Sequence, residues 1–345
     1  MSLAYLQQRA QAGDAKAQVE LAVGFEAEGR DFDALQWLSR AAQAGDAEAL
    51  GRLGIKLVLA RGAPHRPRDG LGLLNDAVAA GDGRAAAFLA VLAGLGLYLP
   101  QSWSAALGHL ARAAGLGWPP AQRELAILSG GSVVDLKRWS SAPQMRVICE
   151  APRLVELKAL APPEACAFII EQSRSRLVRA EVHDPETGLA IMGQTRTNRV
   201  ANFGVTETSL LNLLIQLRIG AAAGTPVAHM EAFAVLNYGP GEEASEHHDY
   251  LDPAVPAYGE ELQRLGQRTS TALLYLNDDY EGGETAFPEL GIAHRGRTGD
   301  ALLFFNADRE GRPDPRTLHA GRPPTSGQKW VLSQFIRNRP VIGAG

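Results

Sequence analysis

Two hydrophobic periods divide the chain. Over residues 1–128 alanines and leucines recur with helical spacing, and a short motif returns with them. It reads QAGDAKA around Gly13, AAQAGDAEA at Ala41–Ala49, DAVAAGDGRA around Gly81, and in eroded form AAGLGWPPA at Ala113–Ala121. Gly45, Gly81 and Gly117 follow one another at intervals of 36 residues, and Gly13 precedes Gly45 by 32. A period of this length, with small residues at repeated positions, predicts antiparallel helix pairs stacked into a solenoid. Alanine lets two helices approach, glycine makes the turn, and the aspartate after it caps the next helix. Through 129–145 the period gives way to Gly, Ser and Pro, which predicts a linker with Trp139 pinning it to a domain face. From 146 to 345 the pattern is strand-like. The runs are Arg146–Ala151, Glu231–Tyr238, Thr269–Asn277, Asp300–Asn306 and Lys329–Arg337, each bounded by turn formers. Helices are expected over 162–178 and, as an amphipathic cover for one sheet, over Leu210–Gly224. The fold class is therefore α+β: a helical repeat array, then a double-stranded β-helix, or jelly-roll, domain with flanking helices.

Composition narrows the class of protein. Of 345 residues 46% are hydrophobic and 21% charged, enough apolar material for two packed cores. The 34 basic residues are scattered among 38 acidic ones, so no tract tracks phosphates and nucleic acid is not an expected partner. The longest uncharged apolar run, Ala85–Leu99, falls short of the roughly 20 residues a membrane span requires, so no membrane is expected either. Two cysteines, Cys149 and Cys166, and no secretory start predict reduced thiols in a cytoplasmic protein.

The chemistry concentrates in the second half. His247 and Asp249 stand two apart on a segment expected to be extended, so their side chains point the same way and could share one metal ion. His319, 70 residues after Asp249, is a candidate third ligand. Two histidines and a carboxylate leave open coordination positions and suit Fe(II), although zinc would accept the same donors. Lys329 heads the last strand run, where its ammonium could pair with an anionic co-substrate. Taken singly, each of these residues has a structural or solvated explanation.

Linked together, they resemble the prolyl 4-hydroxylase branch of the Fe(II)/2-oxoglutarate dioxygenases, over about residues 150–338. The likeness lies in YGPGEEASEHHD, RTSTALLYLNDDYEGGETAFP, GDALLFFN and LHAGRPPTSGQKW, in that order. The first half resembles Sel-like repeats, a variant of the tetratricopeptide pattern, which implies either a docking scaffold or a stabilising cap. The oxygenase resemblance implies Fe(II) held by His247, Asp249 and His319, with 2-oxoglutarate and O2 as co-substrates, succinate and CO2 as products, and ascorbate as reductant. It places the distal carboxylate of 2-oxoglutarate on Lys329, with Tyr275 adding a hydroxyl and Leu273 and Thr271 pointing the same way along the strand. Tyr238 would line the same pocket, and Arg196-Thr197-Asn198 would lie near its mouth. Gly282–Thr285 is expected to be a turn-forming signature.

Substrate is expected at Glu231, Arg268, Phe335 and Arg337, with Tyr250 and Asp252 at the lip. Peptide-acting members of the family carry aromatics where this chain has Ala244 and Phe335. Their loss favours a free proline-like amino acid, its amine on Glu231 and its carboxylate on Arg268. The alternatives are a prolyl residue of a protein docked by the repeats, and a repeat scaffold with a vestigial oxygenase domain. The plainer reading of Glu231 and Arg268 is that they pair with each other and shape the pocket. His183, His229 and His294 are read as exposed.

Overall fold

The structure is a computed structural model that describes residues 3–180, 182–183, 190–191 and 195–341. The chain divides into two compact units at Val134/Asp135. The first contains α1 (Leu3–Gln11), α2 (Ala15–Ala27), α3 (Asp31–Gln43), α4 (Ala47–Leu59), α5 (Pro67–Ala79), α6 (Gly83–Leu95), α7 (Trp103–Gly115) and α8 (Pro119–Ser129). Gly13, Gly45, Gly81 and Gly117 all adopt positive φ between paired helices, at +93°, +81°, +102° and +83°. Asp14, Asp46 and Asp82 each accept from backbone N–H groups of the following helix, the capping that the repeat motif predicts. The eroded fourth copy has Trp118 at this position, with no side-chain cap and Pro119 starting the helix instead. Glycines also set the closest helix approach. A Cβ on Gly54 of α4 would lie 2.9 Å from the carbonyl oxygen of Gly70 in α5, and one on Gly70 only 2.7 Å from that of Gly54. No described helix is long and apolar enough to cross a membrane.

The second unit opens with α9 (Leu136–Ser140), so the expected linker contributes a helix with Trp139 buried on it. Then follow β1 (Gln144–Glu150), β2 (Arg153–Lys158), α10 (Pro163–Arg174), β3 (Val178–Arg179), β4 (Val182–His183), β5 (Ala190–Ile191), β6 (Arg199–Asn202) and α11 (Leu210–Ala223). After these come β7 (Ala234–Tyr238), β8 (Ala244–His247), α12 (Gly259–Leu265), β9 (Arg268–Tyr275), β10 (Glu281–Gly282), β11 (Thr285–Phe287) and β12 (Ile292–His294). The chain ends with β13 (Ala301–Phe305), β14 (His319–Gly321), β15 (Pro324–Ser326) and β16 (Lys329–Arg337).

An eight-stranded sheet runs β1-β2-β13-β9-β16-β7-β6-β3, and a four-stranded sheet runs β12-β11-β14-β8, antiparallel throughout. Their inner faces share one apolar cluster of Leu154, Leu273, Tyr275, Leu302, Phe304 and Val331 from the large sheet with Phe287 from the small one. This two-sheet sandwich is the layout that the jelly-roll expectation calls for. Helix α11 departs from the expected amphipathic cover. Its polar residues Asn212 and Gln216 are buried with the leucines, and the Gln216 amide donates to Gln334 of β16 at 2.6 Å. His294 also departs from expectation: it is buried, with Nε2 3.8 Å from Glu156. The side chain of His183 lies outside the described residues.

Candidate active site

Strand pairing explains how ligands distant in sequence meet. β8 and β14 are neighbours in the small sheet, and His247 lies opposite His319 in register. Their ring centroids are 4.4 Å apart. Asp249, two residues on, brings its carboxylate between them, with Oδ1 3.6 Å from His247 Nε2 and Oδ2 3.5 Å from His319 Nε2. One potential ligand atom from each residue lies within 4.8 Å of the others. Among the described residues no other group of three His, Cys, Asp or Glu side chains meets this condition.

The hydrogen bonds around the triad orient it. His247 Nδ1 is 2.8 Å from the Ser245 carbonyl oxygen, and His319 Nδ1 is 3.0 Å from that of Thr317. Donation from Nδ1 fixes the tautomer and turns both Nε2 lone pairs toward Asp249. Burial and the neighbouring His319 depress His247 to a pKa of about 4, which keeps its ring neutral and its lone pair available at neutral pH. Burial pushes the Asp249 carboxyl up, but the two histidines and the Thr271 hydroxyl outweigh it and hold the carboxyl below its ordinary range. Phe287 and Phe304 flank the His319 ring. The donor set is two imidazoles and one carboxylate with apolar backing, and it fits Fe(II).

Beside the triad lies a cavity of about 780 Å³ that reaches from Lys329 and Tyr238 past the three ligands to Glu231, Arg268 and Phe335. Lys329 is 2% exposed, and no carboxylate lies within salt-bridge distance among the described residues. Its ammonium stands 5.2 Å from the Tyr238 ring centroid and 5.8 Å from that of Tyr275. Burial lowers its pKa to about 8, with Glu284 opposing. A buried cation without a counter-charge at hand is costly unless an anion joins it. Gly283, at φ +68°, lets the β10–β11 turn pass the lysine: a Cβ there would lie 3.4 Å from Lys329 Cδ and 2.9 Å from the Tyr280 ring.

Several expected roles shift. Tyr275 is fully buried behind the pocket, and its hydroxyl lies 3.0 Å from Thr285 Oγ1. Thr285, expected only to shape a turn, is the residue that lines the cavity. Its place opposite Gly321 across β11 and β14 could not be read from the motif. Thr271 does not line the cavity either. It sits beneath Asp249 and accepts from Asn306 at 2.8 Å. Leu273 and Tyr238 do line the pocket, and burial pushes the Tyr238 phenol up to about 12, so it stays a neutral donor. Arg196 also faces the cavity, and its buried Nε has no hydrogen-bond partner among the described residues.

The far end of the cavity is saturated. Arg268 grips Glu231 with Nε at 2.7 Å and Nη2 at 3.0 Å, and Arg337 donates from Nε to the same carboxylate at 2.6 Å. Arg337 also pairs with Glu261 of α12 and donates to the Gly266 carbonyl. The Arg268 guanidinium lies 4.1 Å from the Phe335 ring centroid. Burial raises the Glu231 pKa, but the two arginines reverse this and leave it lowered. Glu231 and Arg268 therefore satisfy each other. Arg337, 1% exposed, holds the wall and does not reach the cavity. Tyr250 and Asp252 also lie off the cavity. Tyr250 packs on His248 at 4.6 Å, and the exposed Asp252 caps the Ala254 N–H at 2.8 Å.

Comparison with known proteins agrees with this geometry. Residues 233–337 match the 2OG-Fe(II) oxygenase superfamily. Over 207 residues the chain is 32% identical to prolyl 4-hydroxylase 1 of Arabidopsis thaliana, covering 56% of this chain and 71% of that one. The chain belongs to the prolyl 4-hydroxylase family of 2OG-Fe(II) oxygenases. It is a 2-oxoglutarate-dependent hydroxylase that uses Fe(II) and O2. Among solved structures, the viral collagen prolyl hydroxylase of Paramecium Bursaria Chlorella virus-1 aligns over 55% of this chain and 98% of its own, at 22% identity and a TM-score of 0.42. A Sel1 repeat protein from Oxalobacter formigenes aligns over 39% of this chain and 58% of its own, at 19% identity and a TM-score of 0.34.

Proposed function

We propose that this hydroxylase acts on a prolyl residue within a peptide or protein segment, with His247, Asp249 and His319 holding Fe(II) and Lys329 holding the distal carboxylate of 2-oxoglutarate. The observation that carries the substrate reading is the closed Glu231–Arg268–Arg337 network, in which the acid and the base expected to take the two ends of an amino acid are bound to each other. Two features support it. The cavity volume falls within the range that holds ligands larger than a single amino acid. Its mouth is lined by the consecutive residues Val178, Arg179 and Ala180. Side chains alternate along a strand, so a cavity touching all three runs past the edge of β3, where an extended chain can lie.

When bound, the iron supplies activation of O2 coupled to oxidative decarboxylation of 2-oxoglutarate. The chain's own residues do the positioning. Ser245 and Thr317 carbonyls fix the two imidazoles, and Thr271 orients Asp249. Lys329, Tyr238 and Thr285 offer one cation and two hydroxyls at the end of the pocket away from Glu231, a donor set matched to a carboxylate. Leu273, Val331 and Phe335 keep the intervening wall apolar and exclude water. Arg196, whose Nε has no partner among the described residues, is available to a substrate carbonyl.

The test compares proline-containing peptides with free L-proline and its six-membered homologue under Fe(II), 2-oxoglutarate and ascorbate. Succinate release and a product heavier by one oxygen are expected with peptides. Coupled turnover confined to the free amino acids would overturn the peptide reading.

A further inference from the structure

Within that reading, we infer that Tyr258 is a substrate-contacting residue, presented to the prolyl ring by a lip that Arg337 latches in place. The cavity is lined by three aromatic side chains other than histidine: Tyr238, Tyr258 and Phe335. The first carries the Lys329 ammonium at 5.2 Å from its centroid, and the third carries the Arg268 guanidinium at 4.1 Å. Each therefore has a ring face engaged by a cation. Tyr258 is half-buried, and among the described residues neither its ring nor its hydroxyl has a partner. An aromatic face of this kind is what grooves for extended, proline-containing segments provide.

Its position is fixed from below. Tyr258 immediately precedes α12, and its N–H closes a turn on the Val255 carbonyl at 3.0 Å. Three residues on, Glu261 pairs with Arg337, which lies in β16 and is bound on its other side to Glu231. The far end of α12 is held by Gly266, whose carbonyl accepts from Arg337 at 2.6 Å. Gln267 N–H donates to Asn338 at 2.9 Å just beyond it. A lip fastened at both its first turn and its end holds the ring at the cavity before substrate arrives, so little ordering entropy remains to oppose binding. Arg337 is thus a positioning residue, and Glu261 is the exposed half of its latch.

The test is a split between KM and kcat in the full-length protein, read on whichever of the proline-containing peptides or free L-proline the wild type hydroxylates. Tyr258→Ala should raise KM for that substrate about three- to tenfold, the scale of one aromatic contact, with kcat changed much less. KM for 2-oxoglutarate should not follow. Tyr258→Phe should restore the wild-type KM, because the ring face makes the contact. Glu261→Gln, which frees the lip while leaving Arg337 on Glu231, should raise substrate KM in the same direction. An unchanged substrate KM in Tyr258→Ala, with wild-type turnover intact, overturns the inference and leaves the proposed function standing. Wild-type turnover of none of these substrates overturns both.

Discussion

The two ends of the cavity are built from similar charged residues and behave in opposite ways. At one end Asp249, His319 and Lys329 are buried and His247 is half-buried, all with donor or acceptor capacity left over. At the other, Glu231, Arg268, Arg337 and Glu261 alternate in sign and consume one another. A buried charge without a partner is expensive, whereas a buried pair with satisfied hydrogen bonds is tolerated. The first end therefore has capacity left for ligands, and the second is a wall whose charges are already paired. Charge alone does not identify a binding group. What separates the two ends is whether each charge already has its counter-charge.

Breaking the open end should have the largest effect. Asp249→Ala or His319→Ala should abolish succinate formation and metal retention, measured by coupled assay and elemental analysis of the purified protein. At the closed end, Glu231→Gln should be a stability lesion: it takes the carboxylate from Arg268 and leaves Arg337 with Glu261 alone, at a cost of about 3 kcal/mol in denaturant unfolding. Lys329→Ala should weaken 2-oxoglutarate by about 1.5–3 kcal/mol, roughly 10- to 150-fold in Kd by calorimetry with Mn(II) in place of iron.

Two smaller effects sharpen the contrast. The ammonium form of Lys329 is lost as pH rises through about 8, so 2-oxoglutarate affinity should fall above that pH. Binding there should take up a proton, visible as a heat that depends on the buffer's ionisation enthalpy. Thr285→Val removes one of the two hydroxyl donors to that carboxylate and should cost about 1.5 kcal/mol in 2-oxoglutarate binding by the same calorimetry, the smallest change of the set.

The legibility of these residues in the sequence follows the range of the interaction that fixes them. The Gly-Asp turns of the repeats are local, and the structure caps Asp14, Asp46 and Asp82 as the motif requires. The His-x-Asp pair is local too, although Asp249 reaches His247 from the bend that follows β8 and not from the strand. His319 opposite His247 depends on β8 pairing with β14, which no spacing rule supplies. The Glu231–Arg337 bond spans 106 residues, so the sequence shows two charges but not that each is spoken for. The same long range hid the burial of His294 against Glu156 and of Gln216 against Gln334. Helix α12 did leave a local sign, with Glu260 and Glu261 in its first turn, where a helix N-terminus favours acids.

The division between an open and a closed end is tested most directly by calorimetric titration of 2-oxoglutarate into Mn(II)-loaded wild type, Lys329→Ala and Glu261→Gln, side by side. The expected result is a loss of affinity in Lys329→Ala alone, with wild type and Glu261→Gln binding alike. Equal binding by Lys329→Ala and wild type would contradict the account, as would an equal loss in Glu261→Gln.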